Sequence, residues 1–150
     1  MMIYFDMDGV LAGLYDDPDW LAKLEASDVS VYADARPLVH FSTLARYLNR
    51  LQARGYNIGI ISWLSKGGTD KFNAEVAKVK REWLAKHLPS VKWDEIHIIP
   101  YGVPKFTCSS CSNAILFDDE SCNRTDWRGI AFGEDNLIEI LKILLKAREV

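Results

Sequence analysis

The chain has 150 residues, 49% of them hydrophobic and 26% charged, which suits one compact core and leaves no length for a second; a single domain over residues 1–150 is expected. Its 18 Lys and Arg against 21 Asp and Glu give a net charge of −3, so the bulk charge carries no footprint for nucleic acid or an anionic membrane. No apolar run approaches the ~20 residues that span a bilayer, and acids stand near the N-terminus where a signal peptide has its basic region, so a cytoplasmic protein is expected.

In chain order, the first element is a short apolar run over residues 3–5, followed at once by Asp6-Met7-Asp8-Gly9-Val10. Residues 11–35 are irregular and acidic, with Asp16, Asp17, Asp19, Glu25 and Asp28 against Lys23, and read as a flap holding one short helix at 20–25. Pro37 in a first turn, Gly55 as terminator, and Leu38, Phe41, Leu44, Ala45, Leu48 and Leu51 at spacings of three and four predict a helix over 37–54. A second apolar run follows at 58–62. The spacing of Phe72, Val76, Val79, Trp83 and Leu84 then predicts a helix over 70–86. Its window from Lys66 to Lys86 holds six basic and three acidic residues, expected to form a solvated face. Further apolar runs occupy 96–99, 114–117 and 130–132, and a last amphipathic helix is expected near 136–148 with Asp135 as cap.

Runs this short, rich in Ile and aromatics and apolar on both sides, suit strands covered on two faces. Five of them alternating with helical segments predict an α/β fold: three layers, a five-stranded, mainly parallel Rossmann-like sheet, and helices on both faces. Three cysteines are an odd number and suggest no secreted disulfide framework. Cys108, Cys111 and Cys122 offer a CxxC and a third thiol but too few partners for zinc, with only His97 nearby among the histidines. Reduced thiols around a loop are the expectation.

Chemistry gathers at the predicted strand ends. Asp6 and Asp8 follow strand one, Ser62 ends strand two, Lys105 follows strand three, and Asp118 and Asp119 follow strand four. In a parallel sheet those ends share one rim, where open α/β sheets collect their ligands, so distant residues can converge there.

On these residues the chain resembles the haloacid dehalogenase superfamily of phosphohydrolases. Asp6-Met7-Asp8-Gly9-Val10 matches its first motif, Ser62 after Ile58-Gly59-Ile60-Ile61 the second, Lys105 the third, and Asp118-Asp119 after Ile115-Leu116-Phe117 the fourth. Lys92 or Lys66 could otherwise supply the third motif's charge. The chain looks most like small nucleotidase-like or phage-type members, with the flap of residues 11–35 as a minimal cap.

Two acids this close repel each other when ionised, so their site needs a cation or shares a proton. Mg²⁺ takes oxygen ligands, commonly one or two carboxylates with substrate phosphate and water. The resemblance implies Mg²⁺ held by Asp6, Asp118 and the backbone carbonyl of Asp8. It further implies Asp6 as nucleophile forming an aspartyl-phosphate and Asp8 as general acid and base. Ser62 and Lys105 would hold the phosphoryl oxygens. Gly9 allows a tight turn beside the ligand, Trp63 could stack a substrate ring, and Asp119 and Asn123 could add polar contacts. The expected function is hydrolysis of a small phosphomonoester, such as a (deoxy)nucleotide monophosphate. The alternatives are a phosphate- or partner-binding module without turnover and a phosphatase of nucleic-acid ends.

Overall fold

The computed structural model describes residues 1–147. Five strands form one sheet: β1 (Met2–Phe5), β2 (Asn57–Trp63), β3 (Glu95–Ile99), β4 (Ile115–Phe117) and β5 (Ile130–Phe132), in the order β3-β2-β1-β4-β5 and parallel at every pairing. The sheet grows outward from β1 in both directions, so β1 and β4 flank the point where the winding reverses. Crevices for ligands open at such points.

Alternation along β1 shows why these runs are apolar on both sides. Ile3 and Phe5 face a core shared with the helices, whereas Met2 and Tyr4 face a smaller cluster with Ile61, Leu116 and Trp127. The first face is covered by α3 (Phe41–Ala53), the C-terminal half of α4 (Asp70–His87) and α6 (Leu137–Ala147). Leu44, Leu48 and Leu51 of α3 and Leu137, Leu141 and Leu145 of α6 are buried there, each removal from water contributing about 1.5–3 kcal/mol before entropy is counted. Among the described residues the opposite face carries only short elements, a 3-10 turn at Lys105–Cys108 and α5 (Ser121–Asp126), with Trp127 packed in its apolar cluster.

Two helix starts differ from the sequence expectation. α3 begins at Phe41 rather than at 37, because Pro37 bridges Ala12 and the Leu38 N–H donates to the Leu11 carbonyl, which holds that stretch extended. α6 begins at Leu137, since Asn136 has φ 62°, outside helical space. The expected end of this helix at 148 lies outside the described residues.

Residues 11–35 hold the short helix expected at 20–25 and further structure beside it. They fold into a 3-10 turn at Leu14–Asp16, α1 (Trp20–Glu25) and α2 (Ser30–Ala33). Leu14, Val31 and Tyr32 pack on Phe72 and Val76 of α4, giving this lobe an apolar cluster of its own. Ion pairs from Lys23 to Asp17 and from Arg36 to Asp16 engage two of its acids. No helix among the described residues is long and apolar enough to cross a membrane.

Candidate active site

The chain leaves β1 at Phe5, and the Asp6 N–H donates to the Phe117 carbonyl at 2.9 Å, which carries the β1–β4 pairing one residue past the sheet. This contact sets Asp6 beside Asp118. A carboxylate oxygen from each of Asp6, Asp118 and Asp119 lies within 4.8 Å of the others, a spacing that a divalent cation can bridge. Among the described residues no such group includes a cysteine or histidine, and Cys108, Cys111 and Cys122 are free thiols.

Lys105 binds the acids from behind. Only 2% exposed, it lies 3.0 Å from Asp6 Oδ1 and donates to Asp118 Oδ2 at 2.7 Å. Burial works against its charge, but Asp6 and Asp118 outweigh that and hold its pKa above the ordinary lysine value. Lys66 and Lys92, the other lysines weighed for this role, are exposed. The Met7 N–H also donates to Asp6 Oδ1, at 2.8 Å. Asp118 is fixed further by the Glu120 N–H on Oδ1 and by Asn123 Nδ2 on Oδ2, at 2.9 and 3.2 Å.

The acids carry more charge than one lysine balances. Asp118 is raised by burial and then by Asp6, against the pull of Lys105. Among the described residues no cation pairs with Asp119, and burial with Asp6 and Asp118 pushes it up to about 8. The residues thus fit a divalent cation, which would replace the proton that Asp119 otherwise holds.

Gly9 makes the close approach possible. Its φ is +82°, and a β-carbon there would sit 2.2 Å from Asp119 Oδ2, so the position admits no side chain.

Asp8 and Ser62 are joined by a residue that sequence reasoning missed. Lys80 of α4, 1% exposed, donates to Asp8 Oδ2 and Ser62 Oγ, both at 2.8 Å. The expectation of a solvated basic face therefore fails at this position. The signal was legible: Lys80 stands four residues after Val76 and three before Trp83, on the apolar stripe. Burial raises Asp8, with Lys80 opposing it, and the net result is a pKa above the ordinary aspartate value.

Asp6, Asp8 and Asp119 open into a cavity of about 890 Å³ between the sheet rim and the lobe of residues 11–35. Its walls are strongly aromatic. Tyr15 and Trp20 meet edge-to-face at 5.2 Å on the lobe side, and Trp63 and Tyr101 lie 4.8 Å apart on the sheet side. Trp63 is anchored by its indole N–H on the Val103 carbonyl, and its ring lies 5.3 Å from Lys105 Nζ. Ser62, Lys105, Asp118 and Asn123 are buried and do not line the cavity; Lys105 touches its lining at Asp6, whereas Ser62 and Asn123 bond to Lys80 and Asp118 behind it. The loop from Ser65 to Thr69 also lines it, a segment of which the sequence had pointed to Lys66 alone.

No family model matches the chain, and no curated protein is similar to it in sequence. Its structure is similar to the crystal structure of D,D-heptose 1,7-bisphosphate phosphatase from Burkholderia thailandensis, at a TM-score of 0.62 and 11% identity, over 96% of this chain and 97% of that one. An all-parallel sheet matched over nearly the full length of both chains bears out the α/β architecture expected from the apolar runs: the chain has the haloacid-dehalogenase-like fold.

Proposed function

We propose that the chain is a Mg²⁺-dependent phosphomonoester hydrolase that works through an aspartyl-phosphate on Asp6. The observation that carries this reading is a single carboxylate, Asp6, held by Lys105 and the Met7 N–H beside Asp118 and Asp119 at the floor of an open cavity. Asp6, Asp118 and the Asp8 carbonyl would hold the ion, whose chemistry is to neutralise phosphoryl charge as the nucleophile approaches.

An Asp6 carboxylate oxygen attacks phosphorus, and the bond from phosphorus to the ester oxygen breaks. Asp8 gives its proton to that oxygen. A water then attacks the aspartyl-phosphate with Asp8 taking its proton, which frees phosphate and restores Asp6. The raised pKa of Asp8 suits the first transfer. Lys105 opposes the charge on Asp6 and its phosphoryl group throughout.

The aromatic walls support a leaving group with a flat, apolar part, as in a (deoxy)nucleoside monophosphate, over a bare sugar phosphate. A release assay for inorganic phosphate over nucleoside monophosphates, sugar phosphates and phosphorylated nucleic-acid ends, with Mg²⁺ and with chelator, tests this. We expect Mg²⁺-dependent turnover, highest on the nucleotides. Binding without turnover across the panel would sink the reading.

Asp119 adds a pH signature. Its carboxyl keeps a proton up to about 8 in the metal-free protein, so Mg²⁺ binding at pH 7 should expel protons. Because this pKa is raised above the unfolded value, its contribution to stability is full at acid pH and fades as pH rises toward 8. Titration calorimetry in buffers of different ionisation enthalpy reads the release; binding with none would contradict it.

A further inference from the structure

Lys80 has no task in the reaction above, yet its setting is the most constrained of any lysine on α4. Lys71, Lys78, Arg81 and Lys86 on the same helix are exposed, whereas Lys80 is buried. A lysine ammonium has three donors and no acceptor. All three are spent: 2.8 Å to Asp8 Oδ2, 2.8 Å to Ser62 Oγ and 2.7 Å to the Trp63 carbonyl, with the Tyr32 ring 5.0 Å away. Nothing remains to offer a phosphoryl oxygen. What the ammonium can do is decide how its partners point. Since it only donates, the Ser62 oxygen must accept, which turns the hydroxyl proton toward another acceptor. Since it occupies Asp8 Oδ2, the other carboxyl oxygen is left to carry a proton.

We infer that Lys80 is a positioning residue: it clamps Asp8 by one oxygen so that the other exchanges the proton with the leaving group, and it commits the Ser62 hydroxyl to donate. The inference rests on the hydrolase reading above. It explains why a buried cation stands here, where an apolar residue on the stripe would pack at less desolvation cost.

The test compares Lys80→Met with the unaltered protein on two aryl esters. Phenyl phosphate has a leaving oxygen that needs the proton; 2,4-dinitrophenyl phosphate has one that leaves without it. We expect kcat/KM to fall on the order of 10²-fold on the first ester and less than about 5-fold on the second, because general acid catalysis is worth about 10²- to 10⁴-fold only where a proton must move. Any contribution through Ser62 falls on both esters and cancels in the ratio. The double variant D8N/K80M should be slower than D8N on phenyl phosphate by no more than the small factor that Lys80→Met costs on the dinitrophenyl ester, since the general-acid loss is taken only once. If Lys80→Met does not fold, Lys80→Gln, which keeps an amide donor, carries the same comparison. Equal losses on the two esters, or losses that multiply in the double variant, would overturn the inference alone. An unaltered protein that turns over neither ester would overturn the hydrolase reading, and this inference with it.

Discussion

Asp6→Asn is expected to remove turnover, on the order of 10⁴-fold or more in kcat, while leaving the chain folded. Loss of a nucleophile closes the covalent route, and what remains is binding and electrostatics. The fold should survive because an asparagine oxygen can still accept from the Met7 N–H and from Lys105, the two contacts that hold the native Oδ1. The sign of the stability change is itself diagnostic. Asp6 is the strongest charge raising both Asp118 and Asp119, so its neutralisation relieves repulsion, and the metal-free variant should melt no lower than the unaltered protein. Phosphate release and thermal melting in chelator check both halves. Activity within a hundredfold of the original in a folded variant would show that Asp6 is not the nucleophile.

Lys105→Met should cost stability and activity together, with the stability loss depending on pH. Removing the cation leaves Asp6 and Asp118 facing each other in a buried site, and breaking a buried pair in this way costs about 3–5 kcal/mol. Asp118 can escape part of that by holding a proton, so its folded pKa, already raised, climbs further above the unfolded range. Stability tied to such groups is complete at acid pH and is lost as pH rises through the folded values. Urea denaturation should therefore show a small deficit near pH 5 and a larger one near pH 8, part of which Mg²⁺ restores. An equal deficit at both pH values would mean that the loss is one of packing, and that Lys105 does not balance the acids.

Much of this was legible in the chain because it depends on local order. Short runs apolar on both sides require a sheet covered on both sides, and acids directly after such runs fall on its rim wherever the strands end up. The strand ends that carry Asp6, Ser62 and Asp118 needed no tertiary information. Gly9 also announced itself before the structure showed what it faces. Less legible was the lobe of residues 11–35: an acidic, irregular segment gives little periodicity, so its α2 and the aromatic wall formed by Tyr15 and Trp20 emerge only from packing against α4.

Lys80 shows the limit most sharply. Its place on the apolar stripe signalled burial, but charge counting put it with the solvated bases of the helix, and no spacing named its partners. Its burial follows from the packing of α4 over the strand ends, which brings Lys80 onto Asp8 and Ser62, 72 and 18 residues away in the chain. The parallel α/β architecture, the acids at the rim and the turn at Gly9 can be read along the chain, because these follow from short-range periodicity and from backbone stereochemistry. Which lysine lies between Asp6 and Asp118, which one meets Asp8 and what lines the cavity come from the packed fold, because those depend on through-space distances that spacing along the chain does not encode.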